Sequence, residues 1–158
     1  MFGPFPNATK HSRGYPGWLV CAGLALLTLW LYRPALQFGF VWDDYDFLVD
    51  NYAVQGISAL HWKSIWFYPP GGVYTPLHGT LLALLYQVGG LNPLPFHAAQ
   101  LLLHAGCVCL LFMVLKRMES PATAAVASAL FAVHPANIEN VAWIAESKST
   151  LALFFLLL

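Results

Sequence analysis

Phe96-His-Ala-Ala-Gln-Leu-Leu-Leu-His-Ala-Gly-Cys-Val-Cys-Leu-Leu-Phe-Met-Val-Leu115 runs without a charge and stops at Lys116-Arg117. A helix needs about 20 predominantly apolar residues to cross the hydrocarbon layer of a bilayer, so this stretch is long enough to span. The basic pair at its end fixes its direction, because Lys and Arg collect on the cytoplasmic side of spanning helices. The rest of the chain agrees with a membrane setting. It has 158 residues, 59% hydrophobic and 9% charged, where soluble domains run near a quarter charged. A surface so poor in charge is solvated by lipid. Zero net charge and the lack of a clustered basic surface exclude nucleic acid as a partner. Cys21, Cys107 and Cys109 lie inside apolar runs as ordinary packing residues, with no disulfide framework.

Upstream, Leu77 to Val88 is apolar but only about a dozen residues long before Gly89-Gly90 and Asn92-Pro93, a length that suits a surface or re-entrant helix. Were it a crossing, Lys116 and Arg117 would emerge outside, so charge and length agree. Further back, Trp18 to Tyr32 follows Lys10, His11 and Arg13 and carries Trp18, Trp30 and Tyr32 at its ends, as interfacial aromatics do. The competing reading is a signal peptide, but Arg33-Pro34 follows where small-x-small cleavage residues belong. Between these runs, residues 37–75 hold Asp43, Asp44, Asp46, Asp50, His61 and Lys63. Trp62, Ile65 and Trp66 share a helical face there, which predicts a helix along the membrane surface with its aromatics among the headgroups, ended by Pro69-Pro70-Gly71-Gly72.

Downstream, Ala122 to Val133 is short for a crossing but extendable. A last helix starts between Asn137 and Ser149, either of which offers a capping side chain. It runs to Leu158 in mid-run, which reads as the amino-terminal piece of something longer. The expectation is an all-α, polytopic transmembrane bundle with its amino terminus inside. Its spans fall at about 17–35, 96–116, 120–134 and 142–158, and its outer loop of surface helices at 37–95.

This topology places Asp43, Asp44, Asp46 and Asp50 on one side of the membrane together with His134, Glu139, Glu146 and Lys148. Ionisable groups beside a bilayer usually face a cavity or a partner, so two polar loops converging over the helices suggest an interfacial active site. Asp43 and Asp44 cannot both face one point in extended backbone. One therefore faces the cavity while the other pairs or orients, and a lone carboxylate beside an acceptor hydroxyl is what general-base chemistry needs. The alternative is that Asp43, Asp46 and Asp50, at i, i+3 and i+7, form the solvated face of a loop helix. Glu139, Trp143 and Glu146 share a helical face at i, i+4 and i+7, and Lys148 could hold a phosphate as a point charge. Against that stands an exposed helix start whose acids favour the amino-terminal dipole. His97 and His104 share a face of the second span without metal-ligand spacing, and His61 and His78 stay open. No Gly-rich phosphate loop, Ser-His-Asp order or Cys/His zinc spacing is present.

The ordered set Phe40-Val-Trp-Asp-Asp-Tyr45, Asn51, Tyr74-Thr-Pro-Leu77, Gly90-Leu-Asn-Pro93, Phe96-His97, Leu103-His104, Leu130-Phe-Ala-Val-His-Pro135, Glu139-Asn-Val-Ala-Trp143 and Glu146-Ser-Lys148 resembles a known family. It is similar to the amino-terminal membrane part of GT-C glycosyltransferases of the tetratricopeptide-repeat type, relatives of the protein O-mannosyltransferases. The resemblance covers roughly residues 38–158. It implies a truncated GT-C-like fold that takes a sugar from a polyprenyl-phosphate donor and gives it to a protein or glycan acceptor on the outer or lumenal face. The membrane would be a bacterial inner membrane or the endoplasmic reticulum. Asp43 matches the family's base and Asp44 the acid beside it; Lys148 matches the basic residue near the lipid phosphate. Tyr74, His134, Glu139 and Glu146 complete the expected substrate-binding set. Many relatives carry Arg where Thr75 stands, so the phosphate contact expected there is missing. No cofactor is fixed by the resemblance, and a divalent metal stays open. The competing class is a non-catalytic membrane scaffold or a transporter.

Overall fold

The computed structural model describes residues 16–68 and 73–158. The basic flank Lys10, His11 and Arg13 and the break at Pro69-Pro70-Gly71-Gly72 lie outside the described residues. Among the described residues every regular element is helical, and two helices are long and apolar enough to cross a membrane, Gly17–Gln37 and Pro93–Leu115.

Helix α1, Gly17–Tyr32, continues as a 3₁₀ turn over Arg33–Gln37, because Pro34 has no amide hydrogen for the α ladder. It buries Leu24, Thr28 and Tyr32, one stripe at i, i+4 and i+8. Trp18, Leu26 and Trp30 stay exposed. Helix α2 is Ala59–Phe67, and α3 is Pro76–Gly89. At 14 residues α3 is about 21 Å long, well short of a bilayer core. It ends where Gly90 takes a positive φ of 58°, a backbone state open to glycine without steric cost.

Helix α4, Pro93–Leu115, is the spine of the bundle. The Asn92 side chain accepts the Leu94 N–H at 3.0 Å, and Pro93 sits at the first helical position, where its missing N–H costs nothing. Helices α1, α5 (Pro121–Val133) and α7 (Ser147–Leu157) all pack against it. Lys116 at the end of α4 lies against Gly17 at the start of α1, while Phe38 meets His97 edge-on at 6.3 Å, so α1 and α4 run antiparallel. Ala124 packs with Val108 and Phe112, and Phe131 meets His104 at 5.6 Å, so α5 is also antiparallel to α4. Thr150 bonds Gln100 at 3.2 Å and Phe154 touches Gly106, which makes α7 parallel to it. The loops after α1 and after α5 therefore meet at one end of the bundle, and Lys116 sits at the other.

Three expectations need correction. The last helix starts at Ser147, within the window from Asn137 to Ser149 but later than the span bound of about 142. The short helix α6, Asn137–Ala142, precedes it and is broken by Trp143 in extended conformation and a 3₁₀ turn over Ile144–Glu146. Neither Asn137 nor Ser149 caps a helix: Asn137 Nδ2 donates to the Phe131 carbonyl, and Ser149 Oγ donates to Glu146 Oε2. The α2 face is also turned differently. Ile65 is buried in a protein core with Leu48, Val54, Leu82, Phe96 and Ile144, and Trp62 packs against it. Trp66 and Phe67 stay outside. This core joins the first loop, α3, the start of α4 and the second loop into the floor beneath a cavity. His104 meets Tyr32 edge-on at 5.5 Å, a packing role, and the three cysteines are free.

Candidate active site

The acidic stretch is shaped by two departures from regular backbone. Trp42 has φ 46°, a left-handed state that costs an ordinary residue about 1–2 kcal/mol. A π turn then spans Tyr45–Val49, closed by the Asp50 N–H donating to the Tyr45 carbonyl at 2.7 Å. Single π turns of this kind are frequent at functional sites. The result separates the adjacent aspartates. Asp43 is exposed and lines a cavity of about 700 Å³ with Asp46 and Asp50. Asp44 is fully buried. Its Oδ2 accepts the Val41 N–H at 3.0 Å and its Oδ1 accepts the Ala145 N–H at 2.7 Å. The second bond crosses 101 positions of sequence and ties the first loop to the second. Burial pushes the Asp44 carboxyl above the usual carboxylate range, while the two N–H bonds pull it back down.

The cavity falls within the usual size of small-molecule sites. Its floor is stiffened from within: Asn51 Oδ1 accepts the Ala53 N–H at 3.0 Å, and Gln55 Nε2 donates to the Leu48 and Val49 carbonyls. Ile65 of α2 and His78 and Leu82 of α3 line it as well. His78 is 2% exposed and lies 5.6 Å from the Phe47 ring. Burial first, and the Lys148 ammonium second, push its imidazole down to about 4, so it is neutral near pH 7.

Lys148 stands over Phe47. Its Nζ is 5.0 Å from the centre of that ring and 6.0 Å from that of Trp143, and it pairs with Glu146 Oε1 at 2.9 Å. Burial alone would raise the Glu146 carboxyl, but Lys148 and the Ser149 hydroxyl hold it below the usual range. Phe47 lines the cavity and also carries the ammonium, so the two polar clusters meet at this residue.

The structure thus brings together Asp43, Asp44, Glu146 and Lys148. Tyr74 is exposed outside the cavity, between the lining residues Val73 and Thr75, as alternation in extended backbone requires. His134 turns its Nδ1 back onto the Ala136 N–H at 3.1 Å. Glu139 borders a separate apolar groove of about 190 Å³ with Trp42, Ile138 and Trp143. The helical face expected for Glu139, Trp143 and Glu146 does not form, because the chain is extended at Trp143. Asp46, Asp50 and Thr75 line the cavity beside Asp43, and so does His78. For the aspartates the i, i+3, i+7 spacing was the available signal; for His78 there was none. Among the described residues no three His, Cys, Asp or Glu side chains converge as a metal-ligand set.

No protein-family model matches the chain, and no solved structure matches it. Curated relatives do. The chain is 33% identical over 148 residues to the Drosophila melanogaster protein O-mannosyl-transferase Tmtc1, covering 88% of this chain and 17% of that protein. It is 32% identical over 144 residues to human protein O-mannosyl-transferase TMTC4, covering 75% and 19%, and 28% identical over 134 residues to human TMTC3, covering 80% and 15%. The chain spans less than a fifth of the length of these relatives. With the ordered motifs and identities that hold over most of its residues, this chain is similar to the protein O-mannosyl-transferases of the TMTC type.

Proposed function

We propose that this chain forms part of the catalytic chamber of an O-mannosyltransferase, which moves mannose from a polyprenyl-phosphate carrier to an acceptor hydroxyl on the outer or lumenal face of its membrane. The observation that carries this reading is the division of labour at Asp43-Asp44. One carboxylate is open to a ligand-sized cavity, and its neighbour clasps the loop that bears Lys148. The names of the relatives support the sugar and the class of acceptor.

In this reading the chain crosses the membrane four times, through α1, α4, α5 and α7, with the amino terminus and Lys116-Arg117 inside. The antiparallel order of α1, α4 and α5 supports it. Asp43 takes the proton of the acceptor hydroxyl while that oxygen attacks the anomeric carbon. The bond from that carbon to the carrier phosphate breaks, and the phosphate leaves with the electron pair. Lys148 steadies the departing charge by exchanging Glu146 for phosphate oxygens. A single displacement of this kind inverts the anomeric centre. Asp44 acts through position, holding the two loops at a fixed separation.

The test is Asp43→Asn in the full-length protein. General-base catalysis contributes roughly 10²- to 10⁴-fold, and a loss of that size is expected with membrane insertion unchanged, since the side chain is exposed. Undiminished transfer removes Asp43 as the base.

A further inference from the structure

Buried polar atoms are almost always hydrogen-bonded, and an exception calls for an explanation. His78 is such an exception: it is 2% exposed, it lines the cavity, and neither Nδ1 nor Nε2 has a hydrogen-bond partner among the described residues. Of its neighbours, the Ile144 backbone lies close enough to act on the imidazole but makes no hydrogen bond of good geometry with it, and a single backbone group serves one ring nitrogen at most, leaving the other without a partner. Phe47 offers a ring face, and the nearby charges, Lys148 and Glu146, are paired with each other at 2.9 Å. An unpaired buried polar group is destabilising, so a side chain kept in this state at a cavity wall marks a bond that a ligand completes.

The lining narrows the ligand chemistry. Among the described residues it contains three carboxylates, Asp43, Asp46 and Asp50, and neither Lys nor Arg. Such a wall repels a phosphate and accepts hydroxyl donors. A neutral imidazole offers one N–H donor and one nitrogen acceptor, and a hydroxyl both donates and accepts, so the two are complementary. We propose that His78 is a substrate-contacting residue, its imidazole hydrogen-bonding a hydroxyl of the molecule that fills the cavity lined by Asp43, Asp46 and Asp50. This rests on the transferase reading above and adds a residue to it. The phosphate belongs with Lys148 over Phe47, and the hydroxyl-bearing group with His78.

The experiment uses the full-length protein in lipid nanodiscs, with a threonine-containing peptide as acceptor and a polyprenyl-phosphate mannose as donor. His78→Phe keeps a ring against Phe47 and removes both nitrogens, while His78→Gln restores one donor and one acceptor. The expected result for His78→Phe is a KM raised about tenfold or more for one substrate, with Tm equal to or above wild type. In His78→Gln that KM returns to within about threefold of wild type. A shift in the peptide arm identifies an acceptor hydroxyl; a shift in the donor arm identifies a sugar hydroxyl. Both KM values within about twofold of wild type overturn the proposal, as does a lower Tm in His78→Phe, which marks a packing role. If the wild-type protein transfers nothing, the transferase reading falls, and His78 is then judged by the Tm shift that the same peptide or donor induces. A wild-type shift that His78→Phe abolishes supports the contact; a shift it retains, or no shift in the wild type, overturns it.

Discussion

Replacing Asp44 by Ala severs the clasp between the two polar loops. The side chain is fully buried and accepts two backbone N–H groups, at 3.0 Å from Val41 and 2.7 Å from Ala145. A hydrogen bond to a charged group contributes about 1.5–3 kcal/mol, and the donors left behind keep their desolvation cost. Ala145 is itself fully buried, so no solvent replaces the lost acceptor. Opposing this is the burial of the carboxylate, recorded in its raised pKa, and relief of that burial cancels part of the loss. The net expectation is about 2–3 kcal/mol. At about 2–4 °C per kcal/mol for a chain of this size, Tm falls by about 4–12 °C. Asp44→Asn, which keeps one acceptor oxygen, should lose about half as much. The assay is thermal unfolding in nanodiscs, followed by hydrogen exchange at the Ala145 amide, whose protection should drop in both variants. Asp43→Ala is the control, since its exposed side chain bonds nothing across the loops. A Tm for Asp44→Ala within about 2 °C of wild type, with Ala145 still protected, refutes the clasp.

Two further outcomes follow from the same geometry. The folded His78 imidazole titrates at about 4 against an ordinary 6.5, so protonation is penalised in the folded state. Its contribution is fully present above pH 6.5 and is lost as pH falls through the window down to about 4, by up to roughly 3 kcal/mol. His78→Phe should remove that part of the acid sensitivity in a Tm-against-pH series, and an unchanged profile contradicts the burial argument. At Trp42, with φ 46°, the Gly variant should be more stable than the Ala variant by about 1–2 kcal/mol. Both lose the edge contact with Trp143, so the difference isolates backbone strain, and equal Tm values count against it.

What was legible in the sequence was what local pattern controls. Helix α4 follows from a charge-free run ending in Lys116-Arg117, and α3 from a run cut short by Gly89-Gly90. The divergence of Asp43 and Asp44 was legible as a necessity of backbone geometry. Which of them goes inside was not, because the deciding partner, the Ala145 N–H, is 101 positions away. The Glu139–Trp143–Glu146 face failed for a related reason. Periodicity assumes unbroken helix, whereas here Trp143 is extended and meets Trp42 edge-on at 5.4 Å. The π turn at Tyr45–Val49 has no composition signal. Nor has the burial of His78, which depends on Phe47 and the second loop closing over α3.

The central claim is that loops from opposite ends of the chain make one chamber on one side of the membrane. Single cysteines at Asp46, Ser149 and Arg117, all exposed positions, test it in sealed vesicles on a background with Cys21, Cys107 and Cys109 replaced. With a membrane-impermeant thiol reagent, positions 46 and 149 should label from the same side and position 117 only from the other. Labelling of 46 and 149 from opposite sides contradicts the account.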